Sequence, residues 1–184
     1  MTITFFSIKG GVGKSAIAFY LSRTYYWKTL NQFNYYVQKD FINPRINSLP
    51  ALINLEYFDS EELTDLPKHF NTDQVNIVDL KTGFTKSHIP LLQSSDYIVI
   101  PFLTTDLENE ILLATLKLLE VYIESLPQKV ICVPNRYLIN WKQPKTLYRV
   151  AVPIGTTKVF SSYDFSKPNR YDINALYPLY KNFF

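Results

Sequence analysis

The chain has 184 residues, 47% hydrophobic and 19% charged, with a net charge of +3, which suits a globular domain able to build its own core and excludes a disordered polar tract. Its single cysteine, Cys132, excludes an internal disulfide, a zinc ribbon and an intrachain iron–sulfur cluster. With no run of about 18 uncharged apolar residues, and no basic start or small-residue cleavage site at residue 1, a single cytoplasmic domain over 1–184 is expected.

Thr2–Ile8 is dense in β-branched and aromatic residues and reads as a buried strand. A glycine-rich turn follows, then a helix from Ser15 to about Thr29, with Ile17, Leu21, Tyr25 and Lys28 at helical spacing. Tyr35–Val37 reads as a second strand, ending near Asp40-Phe41-Ile42-Asn43-Pro44, and the acidic stretch Ser60–Phe70 as helical. Val75–Asp79 is a strand with an acid at its C-terminal end, and Tyr97–Pro101 is the continuous apolar run typical of a buried parallel strand. Asp106–Ser125 is the clearest helix, with Asp106 as its N-cap and Ile111, Leu112, Thr115, Leu116, Leu118, Leu119 and Ile123 on a broad apolar face. Lys129–Val133 and the short Val150–Pro153 are strands; 134–149 and 155–173 read as loops, and 174–184 as an aromatic end interrupted by Pro178. Strands alternating with helices imply an α/β domain, a three-layer sandwich whose mainly parallel central sheet carries helices on both faces.

The strongest local signal is Lys9-Gly10-Gly11-Val12-Gly13-Lys14-Ser15, between a strand and a helix. Small residues let backbone N–H groups turn inward around a phosphate, with a helix N-terminus behind them. The candidate phosphate-binding residues are therefore Gly10, Gly11, Val12, Gly13, Lys14, Ser15 and Ala16. Lys14 reaches the β- and γ-phosphates as a point charge, and the Ser15 hydroxyl is suited to ligate Mg²⁺. Asp79, at a strand end beside this loop, is the second candidate Mg²⁺ ligand; the alternative is that it caps the next helix.

The common loop pattern would place its first glycine at position 8, which is Ile8, and an extra lysine, Lys9, stands beside the glycines. This resembles the deviant Walker A motif of the ParA/MinD family of P-loop ATPases, and is closest to small ParA-type DNA partition proteins. The resemblance continues through Val75–Asp79 with Leu80-Lys81-Thr82-Gly83, Ser94-Ser95-Asp96 with Tyr97–Pro101, and Lys129–Val133 with Pro134-Asn135-Arg136. It implies an ATPase of weak turnover that uses ATP and Mg²⁺ and forms an ATP-sandwich homodimer. In such a dimer Lys9 crosses to the partner's phosphates, and Asn135 and Arg136 lie by the adenine. The family's acidic switch segment corresponds to Asp40–Arg45, where Asp40 is the candidate catalytic acid and Asn43-Pro44 in place of Asp-Pro is the alternative. The candidate catalytic set is thus Lys9, Lys14, Asp40 and Asp79. Lys81 stands where relatives often carry Pro.

Charge is segregated along the chain. Residues 1–128 hold 10 Lys/Arg and 14 Asp/Glu, whereas residues 129–184 hold 9 Lys/Arg and 2 Asp/Glu. Lys142, Lys145, Arg149, Lys158, Lys167 and Arg170, interleaved with Tyr148, Tyr163 and Tyr171, are candidates for holding DNA phosphates without sequence preference. With the family resemblance, this implies binding of non-specific double-stranded DNA in the ATP state, a centromere-binding ParB-like adaptor, and a nucleoid-associated location. The end of the chain has no basic amphipathic helix, so no membrane partner is expected. Two rival readings are a positioning ATPase working through protein or membrane contacts, and a nucleotide-binding scaffold with little turnover. His69 and His88 lack metal-ligand spacing and are expected at surface or turn positions, and Cys132 is expected to be inert core. Tyr177 and Tyr180 invite comparison with the tyrosine-rich tails of bacterial tyrosine kinases, but the chain's fourteen tyrosines are scattered throughout.

Overall fold

The computed structural model describes residues 1–39, 53–135, 147 and 179–184. Six strands form one sheet: β1 (Thr2–Phe5), β2 (Phe33–Gln38), β3 (Ile53–Phe58), β4 (Val75–Asp79), β5 (Tyr97–Leu103) and β6 (Val130–Asn135). Their order is β3-β2-β4-β1-β5-β6, and every pairing is parallel. Parallel neighbours need crossovers, supplied by α1 (Lys14–Thr29), two 3₁₀ turns (Ser60–Thr64 and Leu66–His69), α2 (His88–Ser94), α3 (Asp106–Glu120) and the short α4 (Leu126–Lys129).

Alternation along the strands divides the apolar side chains between two cores. Ile3, Phe5, Tyr35, Val37, Ile77, Val99, Ile131 and Val133 face α1 and, from the chain's end, Leu179, Tyr180 and Phe183. Phe6, Tyr36, Val78, Ile98, Ile100 and Cys132 face α2, α3 and the 3₁₀ turns. Burial pushes the Cys132 thiol up to about 12, so it stays a protonated core residue, as expected. In α1, Ile17 through Tyr25 are all buried, while Lys28, at the same helical spacing, is exposed. The helix expected from Ser15 to about Thr29 thus forms, and over residues 17–25 it is buried all round, which leaves little amphipathic pattern.

Register is specified by a polar ladder as well as by the cores. Asn54 donates to Asn34 Oδ1 at 3.1 Å, Asn34 donates to Asn76 Oδ1 at 2.9 Å, and Asn76 donates to Thr2 Oγ1 at 3.4 Å. These residues are direct register partners across β3, β2, β4 and β1. A slip of one residue would turn every amide into an apolar core and leave it unsatisfied. Asp96, just before β5, accepts from Thr2 N–H at 2.7 Å and ties β5 to the same end of the sheet.

Several elements differ from the expectations. β3 and α2 carried no clear pattern: β3 is an edge strand with exposed and half-buried middle residues, and α2 is only seven residues long. Ser60–Phe70 forms two 3₁₀ turns instead of one helix, because Pro67 interrupts the ladder at the start of the second. Thr105, not Asp106, caps α3, its side chain accepting from Glu108 N–H, and α3 ends at Glu120. His88 is buried, not at the surface, while His69 is exposed. The Val150–Pro153 strand and the loops expected over 155–173 lie outside the described residues.

Two stability measurements follow from this packing. Asn34→Ala leaves an Asn76 oxygen and an Asn54 amide without their cross-strand partner, and should lower urea stability by about 1–3 kcal/mol. Burial holds the His88 imidazole below its ordinary value of 6.5, and the Thr85 backbone contact only partly opposes this. The native state therefore binds fewer protons than the unfolded chain just below pH 6.5, so stability should fall as pH drops from that value toward the lowered native one. Melting temperatures from pH 7.5 to 5 should show this fall, and it should be smaller in His88→Gln.

Candidate phosphate-binding site

The chain leaves β1 at Phe5 and enters α1 at Lys14, so residues 6–13 form the turn over the C-terminal edge of the sheet. Gly11 and Gly13 have φ values of 78° and 89°, a left-handed conformation that side chains strongly disfavour. No side chain caps α1; Gly13 O accepts from Ile17 N–H at 2.9 Å, and the first amides of the helix remain as donors beside the loop. Such an N-terminus is a ready anion site. It sits beside β1, where successive crossovers part to opposite sides, the place where open parallel sheets bind ligands.

Strand register delivers the acid. Asp79 pairs with Phe5 of β1, at the mouth of the glycine turn. Lys14 Nζ donates to Asp79 Oδ1 at 3.1 Å and to the Leu80 carbonyl, and Ser15 Oγ donates to the same Asp79 oxygen at 3.0 Å. Asp79 is 2% exposed, and its Oδ2 is buried without a hydrogen-bond partner. A buried carboxylate oxygen with nothing to bind, next to a serine hydroxyl, is the donor chemistry that a hard cation takes, so these residues fit Mg²⁺. The next helix, α2, has Ser87 at its N-cap, so Asp79 is not a helix cap. Its charge also bears on Tyr35, whose phenol is pushed well up, first by burial and then by Asp79.

The other candidates fall around this centre. Lys9 forms an ion pair with Glu108 of α3. Asn135 Nδ2 donates to Val12 O at 2.9 Å and presses on the loop so closely that a Cβ on Gly13 would lie 2.2 Å from it. Asn135 thus sits behind the glycine turn, in contact with its backbone. Asp40, Asn43, Arg136, Lys142, Lys145, Arg149, Lys158, Lys167 and Arg170 lie outside the described residues.

Two participants went unnoticed in the sequence. Glu108 is a carboxylate in the buried stripe it shares with Leu112, Thr115, Leu116 and Leu119, and an acid at that spacing was the available signal. Gln38, buried at the end of β2, donates to Ser60 Oγ at 2.8 Å and accepts from Lys81 N–H at 2.8 Å. Proline at position 81 has no N–H to give, which accounts for a non-proline residue there.

No protein-family model matches the sequence, and no curated protein matches it. Solved structures do. A plasmid partition protein from Borrelia burgdorferi bound to AMPPNP matches with TM-score 0.61 at 18% identity, covering 98% of each chain. The septum site-determining protein MinD from Pyrococcus horikoshii, complexed with Mg-ADP, matches with TM-score 0.65 at 14% identity, covering 99% of this chain and 96% of that one. McdA from Cyanothece in complex with ATP matches with TM-score 0.63 at 15% identity, covering 97% and 95%. The fold is that of the ParA/MinD ATPases. In this P-loop α/β fold the all-parallel sheet and the glycine turn after β1 are the frame on which Lys14, Ser15 and Asp79 meet.

The loop contacts yield a double-mutant test. Gly11→Ala meets open space and should cost only the roughly 1–2 kcal/mol of the left-handed backbone. Gly13→Ala must also displace Asn135 from Val12 O and should cost clearly more. Urea denaturation of both variants in the wild-type and Asn135→Ala backgrounds should show the excess at Gly13 shrinking when Asn135 is truncated.

Proposed function

We propose that this chain is a ParA-like P-loop ATPase, a single domain over 1–184, that dimerises around ATP and Mg²⁺, binds non-specific double-stranded DNA in that state and releases it after hydrolysis. The observation that carries the reading is the convergence of Lys14, Ser15 and Asp79 at a capless helix N-terminus behind a glycine turn. Its support includes the nucleotides named with its structural neighbours: AMPPNP, Mg-ADP and ATP.

In this scheme the triphosphate enters between the α1 N-terminus and Asp79. Lys14 leaves its two oxygen acceptors, Asp79 Oδ1 and the Leu80 carbonyl, for the β- and γ-phosphates, exchanging one anion for a more highly charged one. Ser15 and Asp79 would hold Mg²⁺, which supplies charge neutralisation on the phosphate oxygens. Lys9 extends to the phosphates of a second copy, so that nucleotide state controls dimerisation. Asp40 orients the attacking water, and Asn135 and Arg136 form the purine side of the site. The basic residues Lys142, Lys145, Arg149, Lys158, Lys167 and Arg170 hold DNA phosphates, and two copies paired across ATP combine their basic faces. A ParB-like, centromere-bound adaptor stimulates turnover, which is slow without it, and the ATP state resides on the nucleoid. Among the described residues no helix is long and apolar enough to cross a membrane.

The test is a double-stranded DNA titration without nucleotide, with ADP, and with ATP plus Mg²⁺, at two salt concentrations. Binding should appear only with ATP and weaken steeply with salt. Binding indifferent to nucleotide would make the basic face a passive anchor. No binding in any state would favour a positioning ATPase that acts through protein contacts.

A further inference from the structure

We infer that Glu108 is a positioning residue for Lys9: it holds that lysine on its own subunit until a second copy's nucleotide competes for it. The inference rests on the proposed dimer but starts from contacts within one chain. The Lys9 ammonium pairs with Glu108 Oε1; the Glu108 side chain is 5% exposed and that of Lys9 39%. A lysine free to serve a partner would extend into water, yet this one folds back onto a buried carboxylate.

Glu108 is fixed in place. It lies in the first turn of α3, where its own N–H donates to Thr105 Oγ1 at 3.3 Å and the helix N-terminus favours a negative charge. Around it stand Ile100, Phe102, Ile111 and Leu112, with room for no more than about one water in the gap of about 10 Å³ that they share with Lys9. Among the described residues Lys9 is the cation paired with this carboxylate. When Lys9 leaves, a buried charge is uncompensated, and that cost must be met by the new contact.

The Lys9 backbone is anchored while its side chain can pivot. Lys9 N–H donates to Ser7 Oγ at 3.1 Å, and Ser7 Oγ donates to Lys9 O at 2.8 Å. The side chain can therefore leave Glu108 while the backbone at Lys9 stays held by Ser7. A single carboxylate holds Lys9 against solvent but yields to a triphosphate brought by another subunit. Dimerisation then has a threshold that Glu108 sets.

Two measurements on the full chain test this. Reductive dimethylation without nucleotide, followed by peptide mass spectrometry, reads the accessibility of Lys9 against exposed Lys117. Glu108→Gln should raise the Lys9 rate about tenfold, the factor that a charge-assisted bond of this kind holds back. Sedimentation velocity with a non-hydrolysable ATP analogue and Mg²⁺ should then show Glu108→Gln dimerising up to about a hundredfold more tightly than wild type, about tenfold for each of the two Lys9 side chains released. Lys9→Met should lower urea stability, and adding Glu108→Gln to it should restore most of the loss, a readout that stands if Glu108→Gln alone folds poorly. Equal Lys9 labelling in the two chains, or no restoration in the double variant, overturns the hold. Faster labelling with an unchanged dimer constant overturns its control of dimerisation. Faster labelling with no dimer in either chain leaves the hold intact and overturns the dimer reading itself.

Discussion

A lysine ammonium buried at the end of a sheet must be met by a carboxylate, and the rest of the site depends on how Lys14 meets Asp79. The side chains are 7% and 1% exposed, so either charge alone would be costly in that place. The pairing requires β4 to lie beside β1 and in the register that sets Asp79 against Phe5. That register is in turn specified by the Asn54–Asn34–Asn76–Thr2 ladder at the opposite ends of the strands. Polar groups at one edge of the sheet thus hold the chemistry at the other.

The glycine turn presents two lysines, and the protein stores both on acids. Lys14 rests on Asp79, and Lys9 rests on Glu108. Neither acid belongs to the turn; each comes from the element next to it, β4 in one case and α3 in the other. Phosphate would therefore displace existing ion pairs instead of filling empty space. A group that binds by displacement shifts the equilibrium between two arrangements of the same side chains, which is how a ligand's charge becomes a conformational signal.

Much of this was legible beforehand, and what was missed shares a cause. The strands with continuous apolar runs, the glycine turn with its following Ser15, and the acid at the end of the 75–79 strand all left local patterns. β3 and α2 left none, because an edge strand and a seven-residue helix bury too little to impose a period. The buried imidazole of His88 was misplaced because a lone histidine carries no sign of the Phe6 and Phe84 rings that enclose it. Gln38 and Glu108 were missed because their partners, Lys81 and Lys9, are tens of residues distant in the chain.

By itself the sequence determined most of the strands, the two long helices, the parallel sheet and the glycine turn over residues 9–15, since each follows from local steric and periodic rules. Tertiary structure alone decided the strand order, the unpartnered Asp79 oxygen, the Asn135 contact behind Gly13 and the hold of Glu108 on Lys9. These are pairings between distant segments, and no local propensity encodes which buried charge will find which partner. Only the packed sheet, by excluding water from both, makes the choice of partner matter.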